Sequence, residues 1–220
     1  MSQVERQSNT DCSDRGSGPD LGPDRVSLFG GTFDPIHEAH LQIATAAIEK
    51  FSLDRVLFVP ARNPPHKNPS GVTPYTHRLR MVEIACEVNP RFIASRLEEG
   101  TGRSYTIDTL KRFRKELRAD DRLFFLIGSD AFDEIESWKR WQDVIRLAEF
   151  IVVTRPEHDY HTPEHARVHR LDGVSLPVSS SSIRSRLAAG QPTPELPPGV
   201  REYIEAHRLY GFGKTATVLR

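Results

Sequence analysis

Two histidines three positions apart, His37 and His40, close the stretch GGTFDPIHEAH that begins at Gly30. Imidazoles at this spacing lie side by side when the second falls in the first turn of a helix. There they can donate hydrogen bonds to phosphate oxygens and stabilise charge that grows in a transition state. Gly30 and Gly31, just ahead, carry no β-carbon that would keep backbone amides from a bound anion. A helix beginning after them aims its positive end at the same spot. Other chemistries fit the spacing less well. A zinc protease needs H-E-x-x-H, whereas the spelling here is H-E-A-H. The dinucleotide fingerprint G-x-G-x-x-G and the phosphate loop G-x-x-x-x-G-K-[ST] both lack glycines or a lysine at the required places. The bland alternative is a tight turn whose histidines are incidental.

A second polar cluster lies far along the chain in VSSSSIRSRL, residues 178 to 187. Small hydroxyls at a helix start offer amide and hydroxyl donors to phosphate, and Arg184 adds a fixed cation. The same serines could equally cap the helix, and the two roles are compatible.

The elements that must position these clusters follow from hydrophobic periodicity. RVSLFG is a buried strand ending in glycines, and Leu41, Ala44, Ile48 and Phe51 recur at helical spacing after it. Further strands are expected at 55–61, 91–98, 122–130 and 150–156, with a short sixth in VSLPVS, residues 174 to 179. Helical stripes separate them: Leu79, Val82 and Cys86; Ile107, Leu110, Phe113 and Leu117; and the segment WQDVIRLAEF. SSIRSRLAAG and PPGVREYIEAHRLYG complete the set, the latter with Pro198 near its start and Gly211 beyond its end. Apolar strands alternating with helices predict an α/β fold, a Rossmann-like doubly wound parallel sheet with helices on both faces. Ligands of such sheets bind beyond the carboxyl ends of the strands. GGTFDP, NPPHK and GSD each follow a strand and so belong on that edge.

Composition narrows the partners. Thirty basic residues balance thirty acidic ones, so no overall field draws the chain to nucleic acid or to a membrane. A small molecule in a local site is the expected partner. The two cysteines, Cys12 and Cys86, have no CxxC spacing and fit a reducing cytoplasm. The first 24 residues are polar and rich in Ser, Asp, Gly and Pro; they read as a disordered tail without the apolar core of a signal peptide. The expected organisation is therefore tail 1–24, one domain over 25–213 and a C-terminal tail 214–220. The histidines at 158, 161, 165 and 169 occupy a polar loop without regular ligand spacing and receive no role.

GGTFDPIHEAH resembles the H-x-G-H signature of the nucleotidyltransferases related to class I aminoacyl-tRNA synthetases, and its GGTFDP lead-in is most similar to the bacterial nicotinate-nucleotide adenylyltransferases. VSSSSIRSRL resembles the I-S-S-T-x-I-R element of that family. GRSYTIDTL, residues 102 to 110, resembles its S-Y-T-x-x-T-L segment, and IGSD with ESWKRW its G-x-D and Trp segments. TRP, residues 154 to 156, matches a further short element. The similarity spans almost all of Arg25 to Gly211. Ala39 stands where the family usually has Gly, placing a methyl group where the helix passes the adenine.

The resemblance implies adenylyl transfer from ATP to nicotinate mononucleotide, giving the dinucleotide and pyrophosphate, with Mg2+ accompanying ATP and no metal held by protein side chains alone. It places His37, His40 and Arg184 in catalysis. It assigns ATP to Gly30, Gly31, Thr32, Phe33, Asp34, His40, Asp130, Arg155, Ser181, Ser182 and Arg184. The mononucleotide falls to Thr32, His66, Lys67, Tyr105, Thr106 and Trp138, with Trp138 stacking on the pyridine. Competing readings at this point are the pantetheine-phosphate enzyme of the same fold, a nicotinamide-preferring enzyme, and a nucleotide-binding module without turnover. An aromatic platform at Trp138 suits a flat ring better than pantetheine.

Overall fold

The computed structural model describes residues 22–64, 71–100, 102–154, 159–174 and 177–213. Six strands form one all-parallel sheet: β1 (Arg25–Gly31), β2 (Arg55–Pro60), β3 (Phe92–Ala94), β4 (Arg122–Gly128), β5 (Glu149–Val153) and β6 (Val168–Leu171). Their order is β3-β2-β1-β4-β5-β6. The chain thus winds outward from β1 in one direction and then, from β4, in the other. That reversal opens a crevice above the ends of β1 and β4, where ligands of such sheets bind.

Alternate residues along each strand enter opposite cores, because successive side chains point to opposite faces. In β4, Phe124 and Leu126 join one core while Leu123, Phe125 and Ile127 join the other. The first core is covered by α1 (Glu38–Phe51), α2 (Tyr75–Cys86), α6 (Ser180–Ala188) and α7 (Pro198–Ala206), through residues such as Ile48, Val82, Ile183 and Val200. The second lies under α3 (Thr106–Arg114), α4 (Ser129–Asp133) and α5 (Trp141–Leu147), through Ile107, Phe132 and Val144. Both faces of the sheet are therefore buried, as the doubly apolar strands require. Among the described residues no helix is long and apolar enough to cross a membrane.

Two boundaries differ from the sequence reading. The sixth strand is VHRL, within the polar histidine loop; of VSLPVS, residues 175–176 lie outside the described residues and the others form no strand. As an edge strand it presents one deeply buried side chain, Leu171, so it carries little periodicity. VSLPVS contains Pro177, which lacks the N–H a strand donates. His169 in β6 bonds Glu149 at 2.8 Å and belongs to a structural charge cluster with Arg122 and Arg167. The third strand ends at Ala94, and the chain soon turns, Glu99 N–H donating to the Arg96 carbonyl. Residues 1–21 and 214–220 lie outside the described residues. Asp24 ties together the starts of the two central strands, β1 and β4: its N–H donates to Asp121 Oδ1 at 2.9 Å and its carbonyl accepts from Arg122 N–H at 2.8 Å.

Candidate active site

The GGTFDP loop leaves β1 with Phe33 in the left-handed region, at φ 47°. A residue with a β-carbon holds that conformation only when its surroundings enforce it. Here five residues do so. Arg78 of α2, 1% exposed, donates from Nη1 to the Thr32 carbonyl at 2.7 Å, from Nε to the Thr73 carbonyl at 2.8 Å and from Nη2 to the Arg62 carbonyl at 3.2 Å. Tyr210, in a 3-10 turn over Leu209–Gly211, donates its hydroxyl to Asp34 Oδ1 at 2.8 Å. Asp34 Oδ2 accepts from Thr73 N–H at 3.2 Å. Arg184 Nη1 donates to the Asp34 carbonyl at 2.7 Å, and Ser180 Oγ to the Pro35 carbonyl at 3.0 Å.

These last two bonds bring the distant serine–arginine helix onto the histidine loop. The starts of α1 and α6 meet on one side of the loop. His37 is the N-cap of α1 and His40 sits in its first turn, their ring centroids 3.8 Å apart. His37 N–H donates to His40 Nδ1 at 3.2 Å. With Nδ1 accepting, a neutral His40 carries its ring proton on Nε2 and presents a donor there. Burial lowers the His37 pKa to about 4, with Glu195 acting in the opposite direction. Burial and then the neighbouring His37 hold His40 well below 6.5. Both rings are therefore neutral at pH 7. Among the described residues His37 Nδ1 is buried without a hydrogen-bond partner. At the start of α6 the serines divide their work. Ser179 Oγ accepts from Ser182 N–H, Ser180 holds Pro35, and exposed Ser181 accepts from Arg184 Nη2 at 3.2 Å.

On the other side of Gly30–Thr32 lies a cavity of about 360 Å³. Its walls include Thr32, Val59, Tyr105, Thr106, Phe125 and Trp138. Phe125 and Trp138 meet edge to face at 6.2 Å. A β-carbon on Gly30 would come 3.1 Å from the Phe125 ring, and one on Gly31 2.8 Å from Phe33. A side chain on Gly30 would crowd this wall, and one on Gly31 would strike the Phe33 ring in the first core. The arrangement is a two-sided site: donors and helix starts on one flank of the loop, an aromatic cavity on the other.

The structure thus gathers His37, His40, Ser181, Ser182 and Arg184 on one flank and Thr32, Tyr105, Thr106 and Trp138 around the cavity. Thr106 opens α3 as its first residue, with Tyr105 at the cap position. Asp130 is exposed in the first turn of α4, just past β4. Phe33 and Asp34 point inward: the Phe33 ring packs on Phe29, Phe58 and His40, and Asp34 is 3% exposed between Tyr210 and Thr73. His66, Lys67 and Arg155 lie outside the described residues. Ala39 is buried in the first turn of α1. Arg78, Ser180 and Tyr210 were not anticipated. A lone arginine in an apolar helical stripe was the available signal for the first; a serine run and a terminal Tyr-Gly carry none for the others.

A profile of the cytidylyltransferase-like family matches residues 28–186. A Solibacter usitatus protein named probable nicotinate-nucleotide adenylyltransferase is 53% identical over 188 residues, 84% of this chain and 99% of that one. A Tropheryma whipplei protein of the same name is 42% identical over 184 residues, 83% of this chain and 97% of that one. Among solved structures, Plasmodium falciparum nicotinic acid mononucleotide adenylyltransferase complexed with NaAD superposes with a TM-score of 0.71 at 23% identity, covering 87% of this chain and all of that one. At that identity the likeness speaks to the fold.

Proposed function

The chain belongs to the cytidylyltransferase-like family, and on that premise we propose that it transfers the adenylyl group of ATP to nicotinate mononucleotide, releasing pyrophosphate and forming nicotinate adenine dinucleotide. The observation that carries this reading is the seating of α6 on the histidine loop by Ser180 and Arg184, beside a cavity walled by Tyr105, Thr106 and Trp138.

The chemistry requires no protein nucleophile. A phosphate oxygen of the mononucleotide forms the new bond to the α-phosphorus as the bond to the bridging β-oxygen breaks, and pyrophosphate leaves with that electron pair. Catalysis is then alignment and charge stabilisation. In this reading His40 Nε2–H and His37 donate to the triphosphate as charge develops. The start of α1 adds backbone amides and a positive dipole end. Ser181, Ser182 and the open side of Arg184 hold the β- and γ-phosphates, with Asp130 toward the nucleoside; the family resemblance assigns Arg155 to the nucleotide as well. The cavity holds the acceptor: the pyridine lies on Trp138 beside Thr106, and His66 and Lys67 serve its phosphate. Magnesium would arrive with ATP and would neutralise part of the triphosphate charge. Among the described residues no group of three or more His, Cys, Asp or Glu side chains is placed to hold a metal. The free thiol of Cys86 is buried, and burial pushes its pKa up to about 12, so it takes no part in this chemistry.

Pyrophosphate release from MgATP with nicotinate mononucleotide, nicotinamide mononucleotide and phosphopantetheine in parallel tests the reading. Turnover with the first is expected to exceed the other two. Faster turnover of phosphopantetheine would replace the assignment, and no turnover with any acceptor would leave a binding module.

A further inference from the structure

His37 caps α1 with its ring nitrogen Nδ1 buried and unpartnered among the described residues. A second such atom is Oε2 of Glu195, in the segment that joins α6 to α7. The two belong to adjoining stretches of backbone: Glu38 N–H, one residue beyond His37, donates to the Glu195 carbonyl at 2.9 Å. Glu195 is also fixed from α6. Its Oε1 accepts from Arg186 Nη2 at 2.8 Å, and Arg186 Nη1 donates to the Pro192 carbonyl at 3.1 Å. The two stranded atoms are complementary, since a ring nitrogen bearing a proton donates and a carboxylate oxygen only accepts. Buried polar atoms are seldom left unpaired without a role.

The other titratable or charged groups around His37 are His40 and Glu38 of its own helix, Asp34 of the loop, and Arg184 and Arg186 of α6. His40 already accepts at Nδ1, Asp34 bonds Tyr210 and Thr73, and Arg186 is spent on Glu195. Among the carboxylates Glu195 alone opposes burial at His37, favouring the charged ring. A neutral ring with one proton can donate to the carboxylate or to a phosphate. The protonated ring donates to both.

We propose that Glu195 is a positioning residue for adenylyl transfer: its carboxylate is the counter-ion through which His37, neutral in the free enzyme, takes up a proton when the triphosphate binds. This rests on the adenylyl-transfer reading above. The proton comes from solvent and returns to it when pyrophosphate leaves, and no other bond is made or broken by its uptake.

Calorimetry of MgATP binding to the full chain at pH 7, in buffers of different ionisation enthalpy, reads the protons taken up. The wild type should take up protons, and Glu195→Gln should take up about half as many or fewer. His37→Gln should remove the uptake that belongs to this ring, and Glu195→Asp should keep part of it. In the steady state Glu195→Gln should lower kcat by about tenfold, with a smaller change in KM for ATP. The alkaline limb of its kcat profile should move to lower pH, because a ring without its counter-charge gives up its proton sooner. A purely structural Glu195 would lower the melting temperature and leave that limb in place. Equal uptake in wild type and Glu195→Gln, or none in the wild type, overturns the proposal and leaves adenylyl transfer intact. A chain that releases no pyrophosphate with any acceptor removes both. A thermal melt of each variant separates a folding defect from a change in protonation.

Discussion

Replacing Arg78 by alanine withdraws three donors from three half-buried loop carbonyls at once, those of Thr32, Arg62 and Thr73. The guanidinium is 1% exposed, so water does not take its place readily. Each hydrogen bond to a charged donor is worth about 1.5–3 kcal/mol, and each orphaned carbonyl carries a desolvation penalty of about 1–3 kcal/mol. These terms overlap, and burying the charge itself costs energy; burial indeed lowers the arginine's own pKa. The net expected loss is about 3–5 kcal/mol, the range for removing one member of a buried charged network. For a domain of this length that corresponds to a fall in melting temperature of roughly 6–20 °C. Urea titration followed by far-UV circular dichroism measures it, with an unchanged m-value expected. Because Arg78 anchors Thr32 on the cavity wall, turnover should fall further than the folded fraction does. Arg78→Lys preserves the charge but cannot span three carbonyls, and should fall between. A loss below about 1 kcal/mol in the alanine variant would refute the argument that this side chain holds the loop.

His40→Ala removes a donor aimed at developing charge and should cut kcat by about 10²–10³-fold with little change in the melt; near wild-type turnover would exclude the role. His37 has a folded-state pKa of about 4 against 6.5 in its unperturbed form, so the unfolded chain binds the proton more readily. Its contribution is intact above pH 6.5 and drains away as pH falls from 6.5 toward 4, by about 3 kcal/mol in all. His37→Gln should flatten that part of the stability profile, and superimposable wild-type and variant slopes between pH 6.5 and 5 would contradict it. Tyr210→Phe deletes a hydroxyl bonded to Asp34 and should cost about 1.5–3 kcal/mol in urea titration while slowing turnover; a change under about 0.5 kcal/mol would show that the contact is idle.

The legible parts of the molecule were those governed by local pattern. β1, β2, β4 and β5 are buried on both faces and read as apolar runs, while Leu110 and Phe113 mark α3 at helical spacing. β6 escaped because an edge strand needs one apolar anchor, Leu171, amid histidine and arginine. The site split in the same way. His37 and His40 are three residues apart, and a helix start alone brings them together. Asp34 looked like a ligand residue from its place in the motif, yet its carboxylate is buried against Tyr210, a partner 176 positions away. No periodicity connects such a pair, nor Arg78 to Thr32 across 46 positions.

The tyrosine clasp has a bearing on biogenesis. A chain emerging from the ribosome completes its six-stranded sheet and both histidines before Tyr210, the last of the side chains that fasten the first loop, is synthesised. Full competence should therefore come late, when that turn docks, and a nascent chain that stalls short of it would be folded in outline with its loop held by Arg78, Ser180 and Arg184 alone of the side-chain donors.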